Sequence, residues 1–228
     1  MVKSFLIIIS LQIFLYSSEQ IILVLSENTN SSKAKLRCFE DNRQIFKTMN
    51  VNLGKNGLAI GIGINSLKKN TKELLKYEGD KKAPIGIFNL THIFGYKKEH
   101  SFNMPYLHAT KELICVDDSK HKNYNQIINM PEKKPNSFEY MKRDDHQYEL
   151  GIVVEHNKDQ IKQRGSCIFM HIEKFENAPT AGCTSMKYED IKRIAKWLDL
   201  NKKPILIQVP KSKLKDIKKL YPSLEIDN

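Results

Sequence analysis

Residues 165–186 read GSCIFMHIEKFENAPTAGCTSM and set a histidine and a cysteine twelve positions apart, across a polar loop containing Pro179. A cysteine attacks carbonyl carbon as its thiolate, and an unassisted thiol with a pKa near 8.5 is only a few per cent ionised at neutral pH. An imidazole that takes the proton removes that limit. His171 ends a short apolar run, Ser166–His171, that suits a buried strand. Cys167 would share its face but lie about 13 Å away along the strand, against the roughly 2.6–3.2 Å that a nucleophile and its base require. Cys183 follows a loop and can be folded back against the ring, so the expected pair is Cys183 as nucleophile and His171 as base.

The neighbours of Cys183 support the same chemistry. Gly182, without a Cβ, permits a sharp turn and close approach of a substrate carbonyl, and backbone N–H groups at Gly182 and Cys183 are expected to hold the oxyanion. Downstream, Ser185 reads as an N-cap, Glu189 and Asp190 fall in the first turns, and Tyr188, Ile191, Ala195 and Leu198 share one face at helical spacing. On this reading Cys183 sits just before the positive end of a helix, which favours a thiolate.

His171 followed by TAGCTSM (180–186) resembles the signature of the L,D-transpeptidase (YkuD-type) catalytic domain. The resemblance extends upstream through KNGLAIG (55–61), KYEGDKKAPIGIFNL (76–90), FGY (94–96), MPY (104–106), CVDD (115–118), YNQII (124–128) and GIVVEHN (151–157). These match one branch of that family in order and spacing, over most of the chain from Gln20 to Pro210. The resemblance implies a cysteine-dependent acyl transfer on peptidoglycan stem peptides through a thioester, with no metal or organic cofactor. It makes Tyr106, His156 and Thr180 candidates for the substrate groove. Two features depart from the best-studied members: Thr184 and Ser185 stand where an Arg or Asn shortly follows the cysteine, and the interval from His171 to Cys183 is shorter. The alternatives are hydrolysis of the same bond, as an L,D-carboxypeptidase, and an inactive peptidoglycan-binding module.

These residues need a frame to position them. At 228 residues the chain can bury one sizeable core, and many short apolar runs with turn punctuation indicate a mainly β, sandwich-like domain over 20–228. Two helices are expected, one after Cys183 and a short one near the C-terminus. Residues 1–18 read as an export signal, with Lys3 before the apolar Phe5 to Tyr16 and small Ser17 and Ser18 near a cleavage point. An uncleaved anchor is the alternative, although twelve apolar residues fall short of the roughly twenty that span a bilayer. The expected location is the periplasm or cell envelope.

Export implies an oxidising compartment, in which four cysteines invite disulfides. With Cys183 free, at most one bridge can form among Cys38, Cys115 and Cys167, and spacing does not choose the pair. A zinc set of His156, Cys167, His171 and Cys183 lacks any C-x-x-C or H-E-x-x-H spacing. The net charge of +11 is spread in short lysine clusters without a nucleic-acid-binding pattern, which points to an anionic cell envelope as partner; a monomer is expected. Gly54, Gly57, Gly61 and Gly63 read as strand bends and turns, because no strand-glycine-helix unit surrounds them.

Overall fold

The computed structural model describes residues 19–64, 67, 74–98 and 100–226. The expected leader, residues 1–18, lies outside them. In chain order the strands are β1 (Gln20–Ser26), β2 (Lys33–Glu40), β3 (Arg43–Gln44), β4 (Met49–Asn52), β5 (Leu58–Ile60), β6 (Ala83–Gly95), β7 (Tyr106–His108) and β8 (Leu113–Cys115). There follow β9 (Ile127–Asn129), β10 (Glu139–Tyr140), β11 (Leu150–Val154), β12 (Phe169–Ile172), β13 (Thr184–Met186), helix α1 (Tyr188–Trp197), β14 (Ile205–Pro210) and helix α2 (Leu214–Leu220). The fold is mainly β with two short helices, one after Cys183 and one near the C-terminus, as expected.

The principal sheet runs β1-β14-β6-β11-β12-β13-β4-β2, and β2 pairs back onto β1. The sheet therefore closes on itself and leaves these strands no free edge. A second sheet, β10-β8-β9, has three strands.

Alternation along the strands separates two apolar clusters. In β2, Ala34, Leu36 and Cys38 are buried while Lys33 and Lys35 are exposed. In β12 and β13, Met170, Ile172 and Met186 join a main core with Ile191, Ile194 and Ala195 of α1. Each of those isoleucines contributes about 1.5–3 kcal/mol by leaving water. On the other face, Phe169 and Cys183 join a smaller cluster with Phe94, Cys115, Met141, Tyr148 and Cys167. The closed sheet thus turns Met170 inward, and Phe169, His171 and Cys183 toward the small sheet.

Three local expectations are corrected. The strand starts at Phe169, because Cys167 adopts a left-handed backbone with φ 52° and cannot continue the ladder. Ser185 is no helix cap: it lies in β13, and α1 starts after Lys187, which is extended and makes no capping side-chain bond. Consequently β13 intervenes between Cys183 and the helix, about 13 Å of chain by strand geometry, and the helix end does not act on the thiol.

Candidate active site

Parallel pairing of β12 with β13 brings His171 and Cys183 together. His171 is in register with Ser185 and Met170 with Thr184, so continuing that register sets Cys183 beside Phe169. The two candidates are diagonal neighbours on one face, about 8 Å apart at Cα by strand spacing.

Their resting hydrogen bonds are separate. Cys183 Sγ accepts the Phe169 N–H at 3.3 Å and donates its thiol proton to the Cys167 carbonyl at 3.5 Å. His171 Nδ1 lies 2.8 Å from the carbonyl of Ile172. A carbonyl can only accept, so Nδ1 carries the hydrogen and Nε2 keeps the lone pair of the neutral ring. The backbone carbonyl thus does the orienting that an acidic side chain does in many triads.

Both groups are buried, with His171 5% and Cys183 8% exposed. Burial pushes the thiol up to about 12, while Lys76 and Arg143 pull it down and Glu139 adds to the rise. Burial also lowers the imidazole to about 4. At neutral pH the pair is therefore thiol and neutral imidazole, not thiolate and imidazolium.

Segment 139–148 closes over them. The Tyr148 ring meets His171 edge-on at 5.3 Å and Phe169 at 5.6 Å. Its hydroxyl donates to Glu139 Oε2 at 2.6 Å, and the Arg143 guanidinium lies 5.0 Å over its ring. Arg143 is fixed in turn by a bidentate pair with Asp145. Burial raises Glu139, favouring its protonated form.

The turn before Cys183 is built by Thr180. Its Oγ1 donates to the Cys183 carbonyl at 2.6 Å and accepts the Gly182 N–H at 3.1 Å. Gly182 has φ 150°, and a Cβ there would lie 3.1 Å from the Lys82 carbonyl oxygen. The expectation for glycine holds in its backbone and fails in its donor: the Gly182 N–H is engaged by Thr180 and is not aimed at an oxyanion. Thr180 is a part of the site's frame.

His156 and Tyr106 serve elsewhere. His156 is 2% exposed; its Nδ1 accepts the Ile62 N–H, so Nε2–H donates to the Arg164 carbonyl at 2.9 Å. It buttresses the loop after β11 and lines a small cavity of about 180 Å³ with Cys167 and Phe169, and burial lowers it to about 4. Tyr106 stacks on His100 at 4.1 Å, and its hydroxyl donates to the Lys97 carbonyl. Among the described residues neither hydrogen-bonds to, nor stacks on, Cys183 or His171.

The bridge that spacing left open is Cys115–Cys167, leaving Cys38 and Cys183 free. It ties β8 to the residue whose carbonyl holds the Cys183 thiol. Among the described residues no cluster of three His, Cys, Asp or Glu is placed to hold a metal ion. Thr184 and Ser185, which replace the Arg or Asn of other members, are committed to the sheet. Thr184 Oγ1 donates to Gln208 Oε1 at 2.6 Å, and Ser185 Oγ accepts from Asn52 at 3.5 Å.

Sequence reasoning overlooked Lys76. It is 3% exposed and paired with Asp80 at 2.6 Å, and its ammonium lies beside Gly182. The only signal was the i, i+4 spacing of Lys and Asp across the KYEGD motif.

The L,D-transpeptidase catalytic domain (YkuD) family model matches residues 28–207. The helical cell shape determining protein Pgp2 of Campylobacter jejuni, as a point mutant, matches at 15% identity and TM-score 0.42, over 85% of this chain and 48% of that one. Bd1075 of Bdellovibrio bacteriovorus matches at 14% identity and TM-score 0.42, over 90% and 56%. The chain spans about half the length of these two proteins. No curated protein matches it. The family match takes in most of the chain, including both His171 and Cys183, and the chain belongs to the L,D-transpeptidase catalytic domain family.

Proposed function

We propose that this chain is an exported L,D-transpeptidase that acylates Cys183 with a peptidoglycan stem peptide. The observation that carries the reading is the His171 Nδ1–H bond to Ile172, which leaves Nε2 free on the face that Cys183 shares. Rotation of the thiol away from Cys167 carries its proton to Nε2. Sulfur then attacks the carbonyl of the stem residue with the L-centre, ahead of the terminal D-amino acid. The C–S bond forms, the peptide C–N bond breaks, and the proton on His171 passes to the leaving amine. In the second half, an incoming amine gives its proton to Nε2 as it attacks the thioester, and that proton returns to sulfur. An amine acceptor yields a cross-link or amino-acid exchange; water yields the carboxypeptidase product.

Tyr148 packs against His171, so a substrate that reaches the imidazole has to displace the Tyr148 ring. Two further features support the setting. The Cys115–Cys167 bridge suits an oxidising compartment such as the periplasm or cell envelope. Lys33, Lys35 and Arg37 of β2, with Lys211 paired to Glu27, line a groove of about 750 Å³ that also takes in Asn177 of the loop between His171 and Cys183. That groove suits an anionic envelope polymer.

The test is intact-protein mass spectrometry with a disaccharide-tetrapeptide and, separately, with a carbapenem. The expected result is an adduct that is absent in Cys183→Ala. The released products then separate transfer from hydrolysis, and no adduct with either compound overturns the reading in favour of a wall-binding module.

A further inference from the structure

We infer that Lys76 is a catalytic residue, its ammonium donating to the oxyanion that forms when Cys183 attacks. The inference rests on the acyl-transfer reading above and adds a residue that the Cys183–His171 pair does not supply.

The requirement comes first. A tetrahedral intermediate carries a full negative charge on the former carbonyl oxygen, and each preorganised donor to it is worth about 10²–10³ in rate. The obvious backbone donor, the Gly182 N–H, is taken by Thr180 Oγ1. The Gly182 half of the expected backbone pair is therefore taken, and a donor to stand beside the Cys183 N–H has to come from another direction.

Lys76 is placed to supply it. The outer part of its side chain passes Gly165, where a Cβ would fall 3.0 Å from both Cγ and Cε. It ends beside Gly182, where a Cβ would lie 3.6 Å from Nζ. Both glycines have positive φ, 90° and 150°, and neither carries a side chain that would separate the lysine from the turn bearing the nucleophile. The side chain is 4% exposed, so its charge acts in a poorly screened setting.

The charge is only partly used by its partner. Asp80 accepts the ammonium at Oδ1, but it also accepts the Lys82 N–H at 2.8 Å and the Tyr77 N–H at 2.9 Å. Lys76 Nζ gives one further bond to the Tyr77 carbonyl at 3.3 Å. Among the described residues its third N–H has no partner. A carboxylate shared among three donors, and an ammonium that among the described residues keeps one donor to spare beside Gly182, suit a fixed oxyanion donor. A purely structural ion pair does not by itself account for an ammonium set beside Gly182, one residue before Cys183. The coulombic pull of Lys76 on the Cys183 thiol agrees with that proximity.

The experiment compares wild type, Lys76→Met and the double variant Lys76→Met/Asp80→Asn, which removes both buried charges and so keeps the fold testable. Three readouts are taken: the acylation rate constant with the tetrapeptide or carbapenem, the dissociation constant of the tetrapeptide on a Cys183→Ala background, and the rate of alkylation by iodoacetamide. Alkylation needs the thiolate but forms no oxyanion. The expected result is acylation slowed about 100-fold in both variants, with binding within about twofold of wild type and alkylation slowed far less than acylation, by no more than the lost pull of Lys76 on the thiol. Wild-type acylation in the double variant overturns the role, as does an equal slowing of alkylation, which would make Lys76 a thiolate stabiliser. A wild type inert toward both compounds overturns the acyl-transfer reading itself, and the role with it.

Discussion

His171 donates its Nδ1–H to the carbonyl of Ile172, one residue further along the same strand and 2.8 Å away. The contact fixes both the tautomer and the ring plane with a backbone group that no side-chain substitution can remove. It also keeps a buried, neutral imidazole with a lone pair on Nε2 at pH values where an exposed histidine would be protonated, as the proposed base requires.

A pH consequence follows directly. Burial lowers His171 to about 4 and raises Cys183 to about 12, so neither group titrates between pH 5 and 9. The rate of acylation, measured by stopped mass spectrometry, is expected to be flat from about pH 5 to 9 and to fall only toward pH 4. An acid limb centred near 6.5, or a rise tracking an ordinary thiol near 8.5, would show that the working site is open to water and would refute the neutral-pair mechanism.

The meeting of Cys183 and His171 on one sheet face was legible because its signals are local: a motif, a loop length and an alternating strand suffice to single out the two residues. Helix α1 was legible from its 3.6-residue period. What escaped depended on distant partners. Ser185 looks like a cap until β4 and β12 claim it as a strand residue. His156 looks like a strand-end histidine until Ile62 and Arg164 take both its nitrogens. Lys76 goes unremarked in the sequence, because its enclosure, by Asp80 and by two glycines distant in the chain, comes only with the fold. The closure of the sheet through β1 and β14 joins residues some 180 positions apart, beyond any periodicity.

Acid should unfold the protein earlier than its carboxylates alone imply. His156 and His171 both sit near 4 in the fold, below the ordinary 6.5 of an unfolded chain. Their folded pKa values are depressed, so the stability they contribute is fully present above about 6.5 and is lost as pH falls toward 4, by roughly 3 kcal/mol each. Glu139, raised by burial, works in the opposite direction over its own range. Urea denaturation at pH 7 and 4.5 should show the loss, and His156→Gln should flatten the profile. An unchanged profile in that variant would mean that His156 is hydrated.

Thr180 is the strut of the nucleophile's turn. Thr180→Val keeps the shape but removes the donor to the Cys183 carbonyl and the acceptor for the Gly182 N–H. The expected cost is about 1–3 kcal/mol in stability and about tenfold in acylation. Thermal melting and the acylation rate check it together; a variant that melts normally and reacts normally would remove Thr180 from the site's frame.

The Cys115–Cys167 bridge spans 52 residues, for which loop entropy gives about 4 kcal/mol of stabilisation. It also anchors the residue whose carbonyl holds the Cys183 thiol. Cys115→Ser/Cys167→Ser is therefore expected to melt well below wild type and to alkylate faster at Cys183 below the melting temperature, as read with iodoacetamide. Unchanged alkylation would confine the bridge to a stabilising role.

The basic row on β2 should matter for polymer and not for monomer. Register links His171 to Ser185, Ser185 to Asn52 and Asn52 to Lys33 across four adjacent strands, so the row shares the sheet face of the catalytic pair. Three strand spacings place it about 14 Å away along the sheet. A soluble tetrapeptide held at Cys183 need not reach that far, whereas an anionic polymer laid along the groove would. Exposed charges act through solvent, so the attraction weakens with salt. Lys33→Glu/Lys35→Glu/Arg37→Glu is expected to weaken co-sedimentation with purified sacculi about tenfold at low salt, while carbapenem acylation stays within about twofold. Lys120→Glu/Lys162→Glu/Lys196→Glu carries the same charge change on other surfaces and should bind as wild type does. If both triple variants lose binding equally, net charge alone drives the attraction and the row has no particular role.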